Sequence, residues 1–118
     1  MDDKTKKDKI QTAIEAHFAW FDRLKQAIAT QKSEFKPEVV AKDNQCEFGK
    51  WIYSDLQTIC DEKLYLEIKT NHAEFHKKAS EALSLALQGK IKDAEERIAF
   101  GGELIKLSGK LVLLLKKI

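Results

Sequence analysis

Two of the three histidines in this chain, His72 and His76, stand four residues apart in a strongly helical stretch. On a helix, residues i and i+4 lie above one another, with Cβ atoms about 5–6 Å apart. That spacing brings two imidazoles within reach of one metal ion from a single rigid face. Such a pair more often marks hydrogen-bonded core histidines than metal ligands, so the spacing alone is weak evidence. The third histidine, His17, lies in another helical stretch, and Cys46 falls between the two in sequence. Three neutral imidazoles and one thiolate make a borderline-soft set of four ligands that suits tetrahedral Zn²⁺. Whether they form a site depends on the elements that carry them.

Ile10, Ile14, His17, Phe21, Leu24 and Ile28 recur at spacings of four and three, the seam of a helix packed in a bundle. This predicts a first helix over 7–30, with His17 pointing into the core and Phe18 and Trp20 widening the apolar face. Residues 31–43, with Pro37 and a polar run from Gln31 to Glu34, read as a connector. Asn44 followed three residues later by Glu47 forms a capping box that starts a short helix through Trp51, Ile52 and Tyr53. Cys46 then falls in the first helical turn, where unpaired amides and the helix dipole favour a thiolate.

Asp61 is a second cap. Tyr65, Ile68, His72, Phe75, Ala79, Ala82 and Ala86 form the seam of a helix over 62–88, widened by His76, Leu83 and Leu87 and stopped by Gly89. A last helix is predicted over 91–118, carrying Ile91, Ala94, Ile98, Ile105, Val112 and Leu115. Beside these runs a parallel stripe of Leu104, Leu107, Leu111, Leu114 and Ile118. So broad a face is either a dimer interface or a wide core face.

The levels of the ligand-bearing helices can be compared. His17 lies 30 − 17 = 13 residues before the end of the first helix, and 62 + 13 reaches residue 75, between His72 and His76. Packed antiparallel, at ~1.5 Å rise per residue, the two helices put the three imidazoles in one layer. Cys46 is 16 residues past Thr30. Extended chain at ~3.3 Å per residue easily spans the ~20 Å back to that layer.

Composition narrows the class. A chain of 118 residues suits a single domain, residues 1–118, with a real core. One proline, five glycines and a dominance of Leu, Lys, Ala, Glu and Ile point to an all-α fold, an antiparallel four-helix bundle with an extra short helix carrying the cysteine. Basic and acidic residues number 21 and 19, and the lysines are scattered rather than gathered into the one-sided patch of a nucleic-acid protein. The N-terminus lacks the apolar segment of a signal peptide. The longest apolar run, Leu111 to Leu115, falls far short of the ~20 residues of a membrane span. A soluble, cytoplasmic protein is expected, in which two cysteines serve thiol chemistry or metal binding rather than a disulfide scaffold.

Three motif blocks now stand in order: His17-x-x-Trp20, Cys46-Glu-Phe-Gly49-Lys-Trp51-Ile52 and His72-x-x-x-His76. Together they span most of the chain and resemble the chemoreceptor zinc-binding domain of bacterial signalling proteins. The resemblance implies a helical bundle, commonly a homodimer, binding one zinc per subunit through His17, Cys46, His72 and His76. Gly49 and Trp51 would shape the short helix. Members are usually fused to methyl-accepting chemoreceptors or diguanylate cyclases, where they act as cytoplasmic regulatory domains in chemotaxis and related signalling. They are associated with sensing zinc itself, or oxidants that attack the zinc-bound thiolate. The 118 residues leave no room for an output domain beside this one, so the expectation is either a stand-alone member acting on a signalling partner or one domain of a longer protein with a fused output domain.

The alternative is a purely structural zinc site that stabilises a dimerisation module. An enzyme is not expected: four protein ligands close the coordination sphere, and Glu74 lies about 200° around the helix from His72, unlike the base of a hydrolytic zinc site. A di-iron bundle would need more histidines and inward carboxylates. Cys60 reads as a small buried apolar residue, or as a resolving thiol for oxidised Cys46.

Overall fold

The structure is a computed structural model and describes residues 3–42, 47–99 and 101–118. Six α-helices account for most of it: α1 (Asp3–Thr30), α2 (Pro37–Val40), α3 (Glu47–Ser54), α4 (Glu62–Leu87), α5 (Ile91–Ile98) and α6 (Glu103–Leu115), with a 3₁₀ turn at Leu56–Thr58. The fold is an all-α bundle, as composition predicts.

Local chemistry accounts for several boundaries. Asp61 caps α4, its carboxylate accepting from the Leu64 amide at 2.8 Å. Gly89 ends the helix with φ of 80°, and the Lys90 amide reaches back to the Leu85 carbonyl at 2.9 Å, the six-to-one bond of a Schellman close. The short α2 falls within the stretch read as a connector. Pro37 opens it, because a proline at the first helical position gives up no hydrogen bond and supplies the right φ. The capping box at Asn44 lies outside the described residues.

The last helix of the sequence reading is two. Between α5 and α6, Gly101 has φ of 86°, and a Cβ at Gly102 would lie 3.0 Å from the Ala99 carbonyl oxygen and 3.1 Å from that of Glu96. The paired glycines therefore permit a break that a side chain would resist. Lys78 and Glu81 on α4 span it, paired with Glu103 at 3.2 Å and Arg97 at 2.8 Å respectively.

Two apolar clusters fill the bundle. One gathers Trp20, Phe21, Leu24 and Ile28 of α1 with Val40 of α2, Phe75 to Ala86 of α4, Ala94 of α5 and Leu104 of α6. The other gathers Ala13 of α1, Trp51 and Ile52 of α3, Leu56, Tyr65 and Ile68 of α4, and Leu111, Leu114 and Leu115 of α6. The order in which each helix visits them gives its direction. Both α1 and α4 run from the second cluster to the first, whereas α2–α3 and α5–α6 run the other way. Consecutive columns thus alternate, but α1 and α4 are parallel, contrary to the antiparallel packing assumed in levelling the histidines. The physical reason is the α2–α3 stretch, which forms a descending column of its own and returns the chain to the end where α1 began.

The leucine stripe belongs to the subunit's own core. Leu104 and Leu111 are 1 % exposed and Leu114 3 %, while Leu107 is half-buried. Phe18 and Leu87, expected to widen apolar faces, are exposed instead.

Candidate metal centre

Among the described residues the buried polar side chains are His17, Asn71, His72, His76 and Ser108. Their places along the chain are not random. On α1, His17 falls between Ala13 of one cluster and Trp20 of the other; on α4, Asn71 and His72 fall between Ile68 and Phe75; on α6, Ser108 falls between Leu104 and Leu111. His76 follows at the border of the first cluster. The polar groups make one layer across the middle of the bundle. With α1 and α4 parallel, the His17 ring still lies against Phe75, the residue before His76, so the histidines share a level.

Ring contacts confirm the layer. The His17 ring rests on Phe75 of α4 with centroids 3.6 Å apart, and Trp20 meets His76 edge to face at 6.0 Å. His72 Nε2 and His76 Nε2 are 3.0 Å apart. His76 Nδ1 lies 2.8 Å from the carbonyl oxygen of Val40, which only accepts, so Nδ1 carries the proton. In the neutral ring His76 Nε2 then holds a lone pair, facing His72 Nε2.

Burial sets the protonation of the layer. Desolvation, with the charge of His76 adding to it, pushes the pKa of His17 down from 6.5 to about 3. Desolvation first, then His76 and His17, pushes that of His72 down to about 2. Both rings are thus neutral at physiological pH, the form in which imidazole binds a metal. Glu74 is exposed, away from these rings. The Cys60 thiol sits beside the second cluster, 3.4 Å from the Leu56 carbonyl, and burial followed by the Asp61 carboxylate pushes its pKa up. A protonated thiol is a poor nucleophile, which weighs against a resolving role.

The donors fit zinc. Two Zn–N bonds of about 2.05 Å at a tetrahedral angle place the nitrogens about 3.4 Å apart, near the observed separation of the His72 and His76 Nε2 atoms. His17 Nε2 is buried with no hydrogen-bond partner among the described residues, a cost a metal bond would remove. Among the described residues no group of three His, Cys, Asp or Glu is gathered closely enough to hold an ion. Cys46, the fourth expected ligand, lies outside them. Gly49 is buried in α3, and Trp51 joins the second cluster.

Sequence reasoning missed four participants: the Val40 carbonyl, Ser80, Asn71 and Ser108. Asn71 Nδ2 donates to the Leu107 carbonyl at 3.0 Å, tying α4 to α6, and Ser80 Oγ donates to the Pro37 carbonyl at 2.8 Å. Asn71 beside His72 in a buried seam was the available signal.

No helix among the described residues is long and apolar enough to cross a membrane. Neither a curated protein nor a solved structure matches the chain. The family model described as the chemoreceptor zinc-binding domain matches residues 17–83, a span of more than half the chain that opens on His17 and contains Cys46, His72 and His76. That family comprises zinc-binding regulatory domains of chemoreceptor-type signalling rather than a known class of enzyme. With the buried imidazole layer and this match together, the chain belongs to the chemoreceptor zinc-binding domain family.

Proposed function

We propose that this chain is a cytoplasmic regulatory domain that holds one Zn²⁺ through His17, Cys46, His72 and His76 and reports zinc availability or oxidation of Cys46. The observation that carries it is the buried imidazole layer, with two Nε2 atoms 3.0 Å apart and the third ring on the facing helix. The bound metal supplies a cross-link whose strength depends on a thiolate. The chain's own residues do the rest: His72 and His76 offer a rigid pair from α4, His17 joins α1 to them, and Cys46 tethers the start of the short helix. Protonation or oxidation of that thiolate removes a charged ligand and loosens the link between α1, α3 and α4. Assembly as a homodimer and coupling to a signalling partner or fused output domain extend this reading. Family membership supports them, and the leucine stripe does not.

A structural zinc site is the second reading, favoured by the position of the layer at mid-bundle between two apolar clusters. Slow metal exchange and an output that does not respond to zinc would select it.

Protein purified without added zinc should carry about one zinc per chain, measured by elemental analysis. Cys46→Ala and His72→Ala should each lower affinity at least tenfold. Equal retention of zinc by the wild type and both variants would overturn the ligand assignment.

A further inference from the structure

The stretch between Ser33 and Val40 is fastened to both ligand-bearing helices. Phe35 packs against Trp20 of α1 at 5.2 Å, and the Arg23 guanidinium lies over both rings at 4.8 and 4.6 Å. On the other side, Ser80 Oγ of α4 donates to the Pro37 carbonyl at 2.8 Å. A serine in the middle of a helix commonly turns its hydroxyl to solvent or to the carbonyl four residues back. Ser80 instead reaches across to another element. It stands one turn beyond His76 on the same face, so its bond and the His76 bond engage the two ends of the same four-residue helix.

Val40 is the last residue of α2 and is 2 % exposed. Carbonyls in the last turn of a helix have no partner within it, and this one accepts from His76 Nδ1. A metal-ligating imidazole needs such a partner on its other nitrogen, because the partner fixes the tautomer and the ring orientation.

Resting on the zinc-site reading above, we propose that the Pro37–Val40 helix is the outer support of the metal centre and that Ser80 is a positioning residue. By clamping Pro37, Ser80 holds the Val40 carbonyl against His76 Nδ1 and commits His76 to bind metal through Nε2. Nothing in the motif of three histidines and a cysteine contains this residue. It acts through a backbone carbonyl and is read only from the packing of α2 on α4.

The test compares wild type, Ser80→Ala, Ser80→Thr and His76→Ala, using zinc competition against a chromophoric chelator and ¹⁵N NMR of the histidine rings without metal. Ser80→Ala should weaken zinc about tenfold or more, Ser80→Thr should restore most of the loss, and His76→Ala should fall furthest. In the metal-free wild type the His76 ring should carry its proton on Nδ1, and in Ser80→Ala the Nε2–H tautomer should appear. A loss of stability alone would not move that tautomer.

Unchanged affinity and tautomer in Ser80→Ala would overturn the positioning role. So would a wild-type His76 protonated on Nε2 with Nδ1 bare, a result that needs no variant to fold. A wild type that binds no zinc would overturn the zinc-site reading itself, and it is distinguished from both by the wild-type titration.

Discussion

His17 and His72 are neutral because the bundle closes over them, and that makes the fold sensitive to acid in a defined direction. In the unfolded chain each imidazole takes up a proton near pH 6.5; folded, His17 resists until about pH 3 and His72 until about pH 2. The unfolded state therefore binds more protons between these limits, and stability falls as pH falls. Each such group contributes on the order of 1 kcal/mol per pH unit inside the window. Metal-free protein, kept in a chelator, should thus show a midpoint of thermal unfolding that drops steadily from pH 7 to pH 5. With zinc near its dissociation constant the drop should be steeper, since protons also compete for the ligands. A metal-free midpoint flat across that range would mean that the imidazoles are not buried as described.

At the scale of elements, the break between α5 and α6 and the burial of the leucine stripe are separately testable. Gly101 has a left-handed φ, yet a Cβ there would meet nothing within 4 Å. Gly101→Ala should therefore cost about 1–2 kcal/mol from backbone conformation alone, seen as a lower denaturant midpoint with an unchanged slope. If 91–118 were one continuous helix, the same change would stabilise it. Leu114, 3 % exposed, and Leu113, 64 % exposed, are neighbours with opposite expectations. Leu114→Glu buries an unpaired charge and should destabilise the chain by about 4 kcal/mol or more. Leu113→Glu should stay within about 0.5 kcal/mol. Circular dichroism and light scattering check both, and a folded, monomeric Leu114→Glu protein would place that residue at an interface rather than in the core.

For the whole molecule, the polar layer interrupts the apolar core between its two clusters, and the proposed zinc would act on global stability there. A ligand bound only by the folded state at about a thousand times its dissociation constant adds about 4 kcal/mol. For a domain of this size that should raise the unfolding midpoint by more than about 10 °C, reversibly on adding chelator. The wild-type midpoint should lose this zinc dependence in His17→Ala, because that histidine is the ligand proposed from α1. A midpoint indifferent to zinc in the wild type would mean that the layer is held by packing and hydrogen bonds only.

Much of this was legible in the residues. The spacing of His72 and His76, the seam positions of His17 and His72, the Asp61 cap and the Gly89 stop are local properties of a helix, fixed by periodicity and capping chemistry within a few residues. The family match spans the stretch that holds the histidines and the Asp61 cap. What sequence could not decide is anything that depends on a distant partner. The apolar stripe of α6 reads the same whether it meets another subunit or its own core, and only packing against Ile68 and Tyr65 assigned it. Parallel and antiparallel pairing of α1 and α4 both level the histidines, so the direction waited on the path of α2–α3. The Gly101–Gly102 break was written in the sequence but was outweighed by the periodicity on either side of it. The Val40 carbonyl had no signal at all: a backbone acceptor carries no residue identity, and only the tertiary fold brings it to His76.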